Sequence, residues 1–326
     1  MAKASWAKNL IRPLIAVLFV YLLILKGPFQ PQQISFILTQ KKIMLLGFIL
    51  IFLQFALMAF RWKKIVEQKT PLTFSLSLQL TLIGQFFSFF IPGGVSGDVV
   101  KALELSKTDD LSRSESFASV LCDRILGLFS MVLFSTVFLA ADYLDSKSEV
   151  LFRYLIFSAT LLLVMFLGLF LGTSIITFLS SFLNSKQNKI LNFLEKIISS
   201  FSLTFSSFRN KKIILLTILL SLIIQIISTY FMIEIIKALN VQVPSFFVFF
   251  ALSCFGFLAC AVPITPAGVG VGQAAFYFLF ATIDKDLGNA AVTAVSILQL
   301  FIFLYALIGG LLFATKPFFN FKKIIN

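Results

Sequence analysis

Long apolar runs restrict this chain more than any other feature. Stretches of about 17–25 residues recur along it, long enough to cross a hydrocarbon core of roughly 30 Å as helix. Six of them read as ordinary spans, near 10–26, 43–60, 116–141, 154–180, 213–237 and 290–314. Only 13% of the residues are charged, where soluble domains carry roughly a quarter, so composition agrees with a membrane protein. Lys3, Lys8 and Arg12 lead into the first run, but Lys26-Gly27-Pro28 closes it without a small-x-small cleavage site. It is expected to stay as an uncleaved span, within a single integral membrane domain covering 1–326.

Absences narrow the chemistry. Without histidine there is no imidazole catalysis or imidazole metal ligation, and no metal is expected. Cys122, Cys254 and Cys260 lie in apolar segments without a CxxC and read as small buried hydrophobes. No P-loop or dinucleotide fingerprint occurs, so no cofactor is expected. The net charge of +13 is scattered through short loops, which suits anionic lipid rather than nucleic acid.

Loop charges give the orientation. Arg61, Lys63, Lys64 and Lys69 in 61–72, and Lys186, Lys189, Lys196, Arg209, Lys211 and Lys212 in 184–212, place both loops in the cytoplasm with the two termini. Asp142, Asp145 and Glu149, and later Asp284 and Asp286, mark the outer side of a bacterial inner membrane; Lys41 and Lys42 are exceptions there. The cytoplasmic stretch 186–212 has apolar residues at helical spacing, as in a helix lying on the inner leaflet.

This orientation forces two apolar stretches to enter and leave by one face: 73–101 from the cytoplasm and 246–283 from outside. Each is interrupted, by Pro92-Gly93-Gly94-Val95-Ser96-Gly97-Asp98 in the first and Pro266-Ala267-Gly268-Val269-Gly270 in the second. Broken backbone at membrane depth survives only against protein or a watery cavity; ordinary surface turns are the alternative. A shift of 174 residues lays 43–60 on 217–234, 73–101 on 247–275 and 116–141 on 290–315. The expected fold is therefore an all-α polytopic membrane protein of two inverted repeats, 1–141 and 150–320. Each repeat has three spans and one re-entrant helical hairpin. Paired breaks in inverted halves point to a transporter site at the repeat interface, with Ser96 and Gly270 facing one cavity.

Several residues could work there. Asp98 and Lys101 share a helix face at i, i+3 and either pair with each other or flank a phosphate held at the Gly-rich turn. Asp123-Arg124 lies inside an apolar run, where a charge costs roughly 2.5–3.5 kcal/mol on insertion scales. Arg124 is a candidate phosphate ligand, or else it snorkels to the interface. Arg61-Trp62-Lys63-Lys64 reads as an interfacial anchor, and Gln85, Gln225, Gln273 and Gln299 as interhelical glue or cavity lining.

With these residues in view, the chain resembles the membrane region of the lysylphosphatidylglycerol synthetases, a broad flippase-like family. The resemblance rests on Arg61-Trp62, on Phe90–Lys101, on Asp123-Arg124-Ile125-Leu126-Gly127, and on Pro263–Gly270. It implies movement of a phospholipid or lipid-linked intermediate between leaflets, with Pro92, Gly93, Gly94, Ser96, Gly97, Asp98, Lys101, Asp123, Arg124, Pro266, Gly268, Gly270 and Gln273 as substrate-binding residues. The family often has Arg where Lys101 stands and Glu where Gln273 stands. The soluble aminoacyl-transfer domain of the full synthetases has no counterpart in this sequence, so their tRNA-dependent reaction is not expected. An intramembrane lipid-modifying enzyme using Asp98 and Asp123, or a scaffold beside a lipid-synthesis enzyme, are the other readings.

Overall fold

The structure is a computed structural model that describes residues 30–90, 96–108, 111–170, 210–262 and 264–315. The expected span near 10–26, the end of the 154–180 span, and the amphipathic stretch 186–212 up to residue 209 lie outside the described residues. So do Pro92, Gly93 and Gly94.

Everything described is helix and connection, with no strand. In chain order the helices are α1 (Pro31–Thr39), α2 (Lys41–Val66), α3 (Phe74–Phe90), α4 (Ser96–Leu105), α5 (Arg113–Ser146), α6 (Glu149–Phe170), α7 (Lys211–Ala238), α8 (Phe246–Ala261), α9 (Val271–Ala281) and α10 (Lys285–Thr315). Five of them, α2, α5, α6, α7 and α10, are long and apolar enough to cross a membrane. The short α1 was not anticipated. Pro31 opens it at a position that needs no N–H, and Gln33 accepts a hydrogen bond from Thr293 of α10 at 2.8 Å.

The ends are set by local chemistry. Ser112 and Glu115 form a capping box at the start of α5, with Glu115 N–H donating to Ser112 Oγ at 3.2 Å. Asn210 and Ser245 cap α7 and α8 in the same sense, each accepting from a backbone N–H in the first turn. Leu45, Ile49 and Phe52 of α2, and Ile156, Phe157, Leu163 and Val164 of α6, stay exposed. In a membrane these are the faces that meet acyl chains.

Helices α2 and α7 cross at the centre of the molecule. Gly47 abuts Phe231, Gln54 accepts from Ser228 at 3.2 Å, and Arg61 donates to Ser221 at 2.8 Å. The partners descend on α7 as the positions ascend on α2, so the pair is antiparallel. The outer packing is reciprocal: α3 lies along α10, where Phe87 meets Phe313, and α8 lies along α5, where Phe250 meets Phe138.

The short helices form two hairpins. Arms α3 and α4 approach so closely that a Cβ on Gly97 would stand 2.1 Å from the Gly84 carbonyl oxygen, leaving glycine as the residue that fits. Ser96 Oγ donates to Phe87 O at 3.1 Å and ties the two arms near the tip. The other hairpin turns through a short 3-10 segment, Pro266–Gly268, with positive φ at Ala267, Gly268 and Gly270.

Candidate functional site

Helix α5 carries the framework of the site. Ser119, Asp123 and Gly127 recur every fourth residue and so share one face. Helix α2 lays its last turns on that face. Trp62 Nε1 donates to Ser119 Oγ at 3.3 Å, and Arg61 binds Asp123 with two parallel bonds, Nε to Oδ1 at 2.8 Å and Nη2 to Oδ2 at 3.0 Å. Gly127 leaves room for the guanidinium: a Cβ there would lie 3.1 Å from Arg61 Nη1. The third branch of the bond set, Arg61 Nη1 to Ser221 Oγ, reaches α7. Arg61 is 7% and Trp62 0% exposed, so neither is the interfacial anchor that the basic run suggested. Lys63 and Lys64 fill that description instead, both pairing with Glu67.

Arg124 stands one residue beyond Asp123, rotated about 100° around α5, and therefore takes different partners. It pairs with Asp98 of α4, and its Nη2 donates to the Ala261 carbonyl at the end of α8 at 3.2 Å. One guanidinium thus links both hairpins. The local pairing of Asp98 with Lys101, one of the two readings of their spacing, is not formed; Asp98 pairs with Arg124 from across the fold.

Lys101 is buried, 8% exposed, with Nζ 3.8 Å above the centre of the Trp62 ring. Such a desolvated cation–π contact contributes about 2 kcal/mol. Among the described residues no carboxylate forms an ion pair with it. Asp98 sits in the first turn of α4, where a carboxylate already complements the helix dipole, so that terminus is a poor seat for a second anion.

These side chains surround a cavity of about 300 Å³. Gly97, Asp98 and Lys101 line it from α4, Gly84, Gln85 and Ser88 from α3, Arg61 and Gln54 from α2, and Asp123 and Arg124 from α5. Gln225 and Ser228 close it from α7, and Phe257 and Ala261 from α8. Gln225 is 3% exposed, and its Nε2 has no hydrogen-bond partner among the described residues.

The second break lines a different space. Val269 and Gln273 border a pocket of about 420 Å³ with Ser296, Gln299, Phe89 and Phe303. Gln273 donates to Gln299 Oε1 at 2.7 Å and to Ser296 Oγ at 3.2 Å, and it accepts from Gly270 N–H at 2.7 Å. Pro266, Gly268 and Gly270 belong to the turn before α9 and are not on the charged wall. Gly268 is wedged against Cys260. The second hairpin meets the charged cavity through Phe257 and Ala261 of α8, and neither Ser96 nor Gly270 lines that cavity.

Sequence reading missed Arg61, Trp62, Ser221 and Gln54 as part of this cluster. The available signal was one arginine and one buried-type aromatic at the start of a basic run whose other members have their own acid.

A helical protein with membrane-length apolar helices and charged groups sunk between them is a multi-pass membrane protein. The sequence model of the lysylphosphatidylglycerol synthase TM region family matches residues 9–314, and the chain belongs to that family. No curated protein matches the sequence.

Proposed function

We propose that this protein moves the polar headgroup of a phospholipid or lipid-linked intermediate between the leaflets of a bacterial inner membrane. The observation that carries this reading is the cavity of about 300 Å³ lined by five charged side chains, inside a body with apolar outer faces. Only the headgroup needs polar lining during transfer; the acyl chains stay in lipid.

The architecture we assign to it is a pair of inverted repeats. Gln54 and Ser228 stand 174 residues apart and bond to each other. A position that touches its own counterpart lies on a two-fold axis. Because α2 and α7 are antiparallel, that axis crosses them, which supports halves of opposite orientation. The ten residues of α4 reach about 15 Å, half of a roughly 30 Å core, which favours re-entrant hairpins. Loop charge puts the α2–α3 turn and both termini in the cytoplasm.

Acid–base chemistry on a lipid is less well supported. Both carboxylates of the cavity are held by guanidinium groups, Asp123 by Arg61 and Asp98 by Arg124. The test is lipid transfer in proteoliposomes. Lys101→Ala and Arg124→Ala should each cut transfer by about tenfold or more while protein yield stays near normal. Transfer at the unaltered rate in both variants would leave only a scaffold role.

A further inference from the structure

The charges around the cavity do not balance. Arg61, Lys101 and Arg124 face Asp98 and Asp123, three positive groups to two negative. The acids are already matched: Asp123 gives both oxygens to Arg61, and Asp98 pairs with Arg124. What remains is the ammonium of Lys101, which lies over the face of Trp62 and forms no ion pair among the described residues, and the amide N–H groups of Gln225. Both are buried donors, and a buried donor left unmatched is destabilising, the more so when it is charged. The cavity's unmet need is therefore for acceptors carrying one negative charge.

Resting on the translocation reading above, we infer that the headgroup this cavity accepts is a phosphate ester of net charge −1 without a cationic substituent. A phosphodiester brings acceptors to a cavity that both Lys101 and Gln225 line, and its single negative charge brings the cavity to neutrality. An ethanolamine or aminoacyl headgroup adds a positive charge, and both carboxylates that line the cavity are already paired. Size points the same way. About 300 Å³ is at the lower limit of the roughly 300–1,000 Å³ usual for small-molecule sites, which suits a compact ester and not an oligosaccharide.

The experiment is a binding titration of the detergent-purified full chain, read by thermal shift and native mass spectrometry. The probes are short-chain phosphatidylglycerol, phosphatidylethanolamine and lysylphosphatidylglycerol. Wild type should bind the anionic lipid roughly tenfold tighter than either of the others. Lys101→Gln should abolish that preference, and Lys101→Arg should keep it. Gln225→Leu removes an unpaired group, so it should fold normally and bind the anionic lipid more weakly. Soluble glycerol phosphate serves as competitor. Displacement shows that the ester alone is recognised, and failure to displace assigns the selection to the ester on its lipid; the charge preference stands in both cases. Equal binding of the three lipids by wild type, or an unchanged preference in Lys101→Gln, overturns the inference. Because no transport is measured, the two readings fail separately. Selective binding without transfer in vesicles would sink translocation alone, and transfer without selective binding would sink the charge selection alone.

Discussion

Around the first hairpin stand Arg61, Asp98, Lys101, Asp123 and Arg124; a shift of 174 residues puts Ile235, Gly272, Ala275, Ile297 and Leu298 in their places around the second. Ile235 and Ile297 are fully buried in the largest apolar cluster. The same order of long, short, short and long helix occurs twice, and among the described residues the charges sunk around a hairpin belong to the first; the ion pair of the second, Lys237 with Glu234, lies at the end of α7 with its lysine exposed. In the second copy the polar groups are the neutral Gln273, Ser296 and Gln299, which satisfy one another. Similar runs of helices thus form with ion pairs at these positions in one half and apolar side chains in the other. The pocket beside the second break has no cation among its described lining residues, so on the translocation reading the charged cavity is the polar resting place.

The comparison breaks most visibly if the halves are not inverted. With Cys122, Cys254 and Cys260 replaced, Lys69→Cys and Gln242→Cys lie in corresponding loops after α2 and α7. An impermeant thiol reagent should reach the first only from the cytoplasm and the second only from outside. Labelling of both from one face ends the inverted-repeat proposal.

Next in size is the cost of losing a charge against losing a methyl. Asp123→Ala leaves the Arg61 guanidinium buried and unpaired and should destabilise by about 3–5 kcal/mol. Ile297→Val at the corresponding position should cost about 0.5–1.5 kcal/mol. Denaturation of both variants in the same detergent decides it. Equal losses would mean that the Arg61–Asp123 pair is no more structural than its apolar counterpart.

The smallest effect concerns the arms. Gly84 and Gly97 correspond to Leu258 and Val271, so the second hairpin holds side chains where the first has none. Gly97→Ala drives a methyl into the Gly84 carbonyl and should cost about 1–3 kcal/mol. Val271→Ala only removes volume, and should cost less in the same thermal assay.

Much of this fold could be read in the chain itself. The long helices follow from unbroken apolar runs, and the two hairpins from Pro and Gly placed inside them. The recurring order of a long, two short and a long helix also shows in the spacing of the apolar runs. The site was readable only in part. Asp98, Lys101, Asp123 and Arg124 stood out as charges in apolar surroundings. Their pairing did not, since Arg61 and Asp123 are 62 residues apart and meet through the rotation of two helices that periodicity cannot relate. Helical spacing suggested Asp98 with Lys101, and tertiary geometry placed Arg124 on Asp98 and the Trp62 ring under Lys101 instead. Which cavity each break would border depended on how α3 and α8 lean on the opposite half, information held in packing and not in local sequence.

If the halves are inverted repeats as proposed, the contact between Gln54 and Ser228 has a consequence for what a single chain permits. Were the two halves separate and identical subunits, each residue on the axis would have to face a copy of itself. It would be amide against amide, or hydroxyl against hydroxyl. Joining the halves covalently lifts that requirement at the axis first, because there one substitution alters one side of a contact and leaves the other intact. Gln54 accepting from Ser228 is such an unlike pair. Two identical subunits meeting on that axis could not make it.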